Sequence, residues 1–102
     1  MIYSGRKVVA VAGTPVTLTS TRTPAGWVTV QAWSGNTGAI YIGGSTAAKD
    51  DGTNKAYTGH QLLPGDFLNL REMGGPSYLD LQYVYMDADN AADGCCFNYG
   101  RR

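Results

Sequence analysis

Along most of this chain apolar and polar residues alternate with a period of two, the repeat of a strand that buries one face. In residues 7–12, Lys7, Val9 and Val11 share one face, and Val8, Ala10 and Ala12 the other. Gly13-Thr14-Pro15 interrupts. Val16-Thr17-Leu18-Thr19-Ser20-Thr21 then alternates apolar side chains with hydroxyls. After the turn signal Pro24-Ala25-Gly26, residues 27–33 send Val28, Val30 and Ala32 one way. Trp27, Thr29, Gln31 and Trp33 go the other way. Ser34-Gly35-Asn36-Thr37-Gly38 reads as a tight connection to the next run, 39–43, so these two runs are expected to form a hairpin.

The second half continues the pattern. Residues 44–59 are small and polar, with Lys49-Asp50-Asp51-Gly52-Thr53-Asn54-Lys55 in the middle, and predict an exposed loop. Pro64-Gly65 presets a turn and puts Asp66 at the start of a short strand, 67–71. Met73-Gly74-Gly75-Pro76 breaks the chain again. Residues 78–86 predict the longest strand, with Tyr78, Asp80, Gln82 and Val84 opposite Leu79, Leu81, Tyr83 and Tyr85. Its phase slips near the end, where a bulge fits. Residues 87–94 are acidic and small, and 95–99 read as a terminal strand. No stretch carries a sustained helical stripe. About seven short strands at ~8–12-residue spacing predict an all-β fold, an antiparallel β-sandwich or jelly-roll-like barrel. It is expected as one domain over 1–102, with an N-terminal arm 1–7 and a C-terminal tail 87–102.

Charge narrows the partners. Eight Lys+Arg balance eight Asp+Glu, so there is no basic excess to displace counterions from nucleic-acid phosphates. With 43% apolar residues and no net charge, the composition argues for a core and against disorder. Apolar runs are too short for a membrane helix, and Met1-Ile2-Tyr3-Ser4-Gly5-Arg6-Lys7 lacks a signal-peptide stretch. A cytosolic origin is therefore expected. Only 16% of residues are charged, and so neutral a surface tends to associate with other protein.

Candidate chemistry is sparse. Cys95 and Cys96 are adjacent, with Cα atoms ~3.8 Å apart across a trans peptide, closer than an ordinary disulfide accepts. Two reduced thiols on opposite faces of a strand are expected. Asp87, Asp89, Asn90 and Asp93 superficially resemble a calcium loop. The loop's Gly and terminal Glu are missing, so a solvated turn without metal is expected. His60 is the only histidine, and no Gly-x-Ser-x-Gly elbow accompanies it, which argues against an enzyme. Gly43-Gly44-Ser45-Thr46 lacks the Gly-Lys-Ser/Thr of a phosphate loop. No cofactor is implied. The aromatic residues carry more information. Trp27 and Trp33 lie on the polar phase of their strand, which fits a protein interface or a sugar-stacking face.

Three segments carry a resemblance. Val28-Thr29-Val30-Gln31-Ala32, then Asn36-Thr37-Gly38-Ala39-Ile40-Tyr41-Ile42-Gly43-Gly44, then Gln61-Leu62-Leu63-Pro64-Gly65-Asp66-Phe67-Leu68-Asn69-Leu70 resemble small all-β structural proteins of tailed bacteriophages. The resemblance covers about half the chain and implies a head decoration (cement) protein in the virion, assembled in the host bacterial cytoplasm. It implies a homo-oligomer, a trimer by preference, bound to the major capsid protein or another virion protein. It carries no catalytic residues. The alternative it allows is a tail, fibre or spike module that binds host carbohydrate through the Trp face. Contacts are expected from Ile2, Tyr3, Arg6, Lys7, Trp27, Trp33, Tyr41, Phe97, Tyr99 and Arg101.

Overall fold

The structure is a computed structural model that describes residues 1–44, 60–71 and 79–100. Within them the strands are β1 (Ile2–Val8), β2 (Val16–Thr17), β3 (Pro24–Ala25), β4 (Trp27–Ala32) and β5 (Ile40–Gly43). They continue as β6 (His60–Leu62), β7 (Phe67–Arg71), β8 (Leu79–Asp80), β9 (Tyr85–Ala88) and β10 (Gly94–Gly100). All pairings are antiparallel, and they nest: β1 with β10, β2 with β9, β3 with β8, β4 with β7, β5 with β6. The chain is thus one long ribbon doubled back between β5 and β6. Rolling that ribbon brings β10 against β4 and β9 against β5. Two four-stranded sheets result, a front sheet β1-β10-β4-β7 and a back sheet β2-β9-β5-β6, with β3-β8 as a short bridge. This is the jelly-roll arrangement of a sandwich. Ten strands replace the expected seven because β2, β3 and β8 are two-residue pieces.

The core lies between the inner faces. The front sheet supplies Val28, Val30, Ala32, Cys95 and Phe97, and the back sheet Ile40, Ile42, Leu62, Met86 and Ala88. Ala25 of the β3-β8 bridge and Val9, Leu18, Leu81 and Val84 of the connections complete the cluster. Each fully buried aliphatic side chain contributes about 1.5–3 kcal/mol relative to exposure. The predicted phase of β4 is the observed one, with Val28, Val30 and Ala32 inward.

Three expectations need correction. Runs 27–33 and 39–43 do not form a hairpin: β4 lies in the front sheet and β5 in the back. The connection crosses the sandwich because Asp93 and Gly94 hold it. Asp93 accepts hydrogen bonds from Thr37 N (3.0 Å) and Gly38 N (3.0 Å). The Asn36 side chain exchanges two bonds with the Gly94 backbone, at 2.9 and 3.0 Å. The expected strand 78–86 is broken by a 3-10 turn, Leu81–Tyr83. Asp80 caps that turn by accepting from Gln82 N, and its carboxylate also takes Thr23 N. The arm 1–7 lies, from Ile2 onward, within a strand, β1, whose partner is the expected terminal strand at 95–99, present as β10. β1 pairs with β10 over its full length, from Ile2↔Gly100 to Val8↔Gly94.

Smaller differences follow the same logic. The alternating run 16–21 is mostly not a strand, because its hydroxyls bind local carbonyls: Thr17 Oγ1 donates to Thr19 O and Thr19 Oγ1 to Thr21 O. The Pro64-Gly65 turn forms as expected. Gly65 has φ +88°, which a second central turn residue needs, and Asp66 N donates to Leu63 O at 2.9 Å. The expected loop 44–59 (beyond Gly44) and the break at 73–76 lie outside the described residues.

Candidate functional site

Strand alternation and register together build the outer face of the front sheet. Inward positions are Tyr3, Gly5 and Lys7 on β1, Cys95, Phe97 and Tyr99 on β10, and Leu68 and Leu70 on β7. The outward residues therefore form rows across the sheet. One row runs Ile2, Gly100, Trp27, Arg71, and the next Ser4, Asn98, Thr29, Asn69. The third runs Arg6, Cys96, Gln31, Phe67. Trp33 follows at the end of β4, where its N–H donates to Gly94 O.

The middle row is a hydrogen-bonded polar band. Ser4 Oγ donates to Asn98 Oδ1 at 2.5 Å, and Thr29 Oγ1 donates to Asn69 Oδ1 at 2.6 Å. A tryptophan closes the face at each end. Trp27 packs on Gly100, where an added Cβ would run into the indole Nε1 and lie 2.8 Å from Cε2. Trp33 packs on Gly94, whose added Cβ would lie 3.1 Å from Cζ3 and collide with Lys7 O. β10 is thus pinched by glycines where the two indoles lie down on it. Between Trp27, Thr29, Asn69 and Arg71 an open depression of about 440 Å³ forms over β4 and β7, with Val28 and Leu70 also lining it.

The expected contact residues divide. Ile2 is exposed, Arg6 is exposed, and Trp27 and Trp33 are half-buried, all on this face. Tyr3 and Lys7 are half-buried on the inward phase of β1, and Tyr3 stacks on Tyr99 at 5.3 Å between ring centroids. Tyr99 stacks in turn near Phe97 at 6.1 Å. Two assignments are corrected. Tyr41 is 1% exposed and donates its hydroxyl to Asp89 Oδ1, and Phe97 is 4% exposed in the core. Neither side chain can meet a partner without unfolding. Arg101 lies outside the described residues.

The acidic segment also reads differently once folded. Its middle, 89–92, is the expected turn with Asn90, Ala91 and Ala92 exposed, but Asp87 is 0% and Asp93 5% exposed at its ends. Asp87 accepts from Gly13 N and Ala88 N, and Asp89 from Ala39 N and the Tyr41 hydroxyl. The carboxylates serve as a clasp between connections. Among the described residues no cluster of three His, Cys, Asp or Glu side chains is placed to hold a metal. Both cysteines are free, with Cys95 buried and Cys96 half-buried on the outer face, as alternation predicts. Burial, reinforced by the neighbouring Cys96, pushes the Cys95 thiol up to about 12. No helix among the described residues is long and apolar enough to cross a membrane.

Sequence reasoning missed Asn69 and Arg71. The alternation of 67–71 puts Phe67, Asn69 and Arg71 on one face, but only the β4–β7 register sets them beside Trp27 and Thr29. Comparison of the chain with protein-family models, curated proteins and solved structures finds no match.

Proposed function

We propose that this chain is a non-enzymatic structural protein of a bacteriophage virion, acting as a capsid decoration subunit. The observation that carries the reading is the edge strand β1. It is a regular seven-residue strand without proline, paired on one side only among the described residues. Its outward side chains include Ile2, 68% exposed, and Val8, 38% exposed, and Met1 beside it is 97% exposed. An open edge with apolar side chains is a template for strand addition by another chain. The zero net charge and the resemblance of residues 28–70 to phage structural proteins support the same reading.

In this mechanism β1 docks on the major capsid protein, or on a neighbouring copy in a trimer, in the virion. Binding only the assembled shell stabilises it by mass action. The test is a binding assay on undecorated capsids of the encoding phage, followed by reconstruction of the particles. Wild-type protein is expected to saturate a symmetry-related set of sites. The paired substitutions Ile2→Lys and Val8→Lys change only exposed side chains and should leave the fold intact. They should cut occupancy at least tenfold, because lysine on an open edge blocks strand addition. Unchanged occupancy would reject β1 as the docking element, and density on the tail alone would reject decoration.

A further inference from the structure

We propose that the depression over β4 and β7 is a binding site for an acidic saccharide, a function independent of where the subunit sits in a particle. Three observations meet there. The first is the platform: Trp27 is laid against the sheet by its packing on Gly100, so its ring is held rather than free to rotate. Pyranose rings present an apolar C–H face that suits such a ring, and rigid aromatic side chains give contact area at little entropic cost.

The second is the rim. Thr29 and Asn69 stand directly opposite in the β4–β7 register and are joined by the Thr29 Oγ1 to Asn69 Oδ1 hydrogen bond. That bond uses the hydroxyl proton and one amide lone pair. It leaves the Asn69 Nδ2 hydrogens and the Thr29 oxygen lone pairs to face a ligand. A donor beside an acceptor matches vicinal sugar hydroxyls, each of which both donates and accepts.

The third is charge. Arg71 pairs with Trp27 across the ladder, and both residues line the depression. Among the described residues Arg71 has no carboxylate partner. The outward rows of the front sheet hold Arg6 and Arg71 and no Asp or Glu. Among the described residues this face therefore carries positive charge only. A guanidinium receives a carboxylate with two parallel hydrogen bonds. The volume of about 440 Å³ lies within the roughly 300–1,000 Å³ range of small-ligand sites. Ring platform, paired polar rim and one open cation together specify a uronate-type sugar rather than a neutral one.

The test is a titration of the full-length, 15N-labelled protein with three soluble probes: oligogalacturonate, oligoguluronate and a hyaluronan fragment. The fully methyl-esterified oligogalacturonate is the uncharged control. At least one acidic probe should shift the Trp27 indole resonance saturably while leaving that of Trp33 in place. Arg71→Gln should weaken that probe about tenfold, the value of one charge-assisted pair. It should leave the weak binding of the ester unchanged. Thr29→Val should weaken both. Trp27→Ala, read by the backbone amides of Thr29 and Asn69 that line the depression, should abolish saturable binding, and the rest of the amide spectrum of each variant reports whether the fold survives. The proposal is overturned if no acidic probe shifts these resonances up to about 10 mM, tenfold above a 1 mM Kd. It is equally overturned if acid and ester bind alike, or if the shifts map to the β7 edge backbone, which would mean a peptide strand. None of these results depends on capsid binding.

Discussion

At the scale of single residues, carboxylates and one thiol set the strongest constraints. Asp93 is 5% exposed and serves two backbone N–H groups that nothing else in the connection satisfies. Asp93→Ala should therefore cost about 2–3 kcal/mol, measured as a lowered urea midpoint, because buried donors lose their partner. Cys95 and Cys96 should separate sharply with a thiol reagent at pH 8: Cys96 should react in the folded protein and Cys95 only on unfolding. The Cys95 shift has a further consequence. The thiol ordinarily ionises near 9.0 but is held protonated to about 12 when folded. Between those values the unfolded chain has lost a proton that the folded chain keeps, so stability falls as pH rises. Melting temperatures from pH 8 to 11 should decline less steeply in Cys95→Ala than in the wild type.

At the scale of elements, the alternating pattern was enough to read strands but not their partners. β4, β7 and β10 were legible because each has one apolar phase, and the inward set of β4 came out residue for residue. The false hairpin shows the limit. A short Gly-containing connection normally joins paired strands, yet here Asn36, Thr37 and Gly38 are claimed by residues more than fifty positions away. Periodicity carries no information about such contacts. The exposed phase of β4 was likewise legible, whereas the depression needed the register that adds Asn69 and Arg71. Tyr41 was misplaced for a related reason: both faces of β5 are covered, so alternation there does not mark an outside. Glycines test the element scale directly. Gly94→Ala drives a methyl into Lys7 O and the Trp33 ring at the β1–β10 seam, and should cost about 2 kcal/mol. Gly35→Ala, with nothing within 4 Å, should stay within about 0.5 kcal/mol on the same urea curve.

At the scale of the whole molecule, every strand pair of the ribbon joins an early segment to a late one except at the β5-β6 fold. Stability is therefore shared rather than local, and truncation is expected to be all-or-none. A chain ending at Asp93 should give no cooperative urea transition by near-ultraviolet circular dichroism, although most of its hydrophobic residues remain. The reason is position: β10 stands between β1 and β4 and supplies hydrogen bonds to both.

That placement also dictates an order in time. During synthesis β1 and β4 emerge first and wait, two strands with a vacant lane between them, until residues 94–100 follow. Contacts this distant in sequence form slowly, because a large loop must close before they form. In that interval the lane can also accept the same strand from a neighbouring nascent copy held close by. Crowded polysomes would then favour exchanged assemblies, and slowing translation just upstream of Gly94 should raise their share at the expense of singly folded chains.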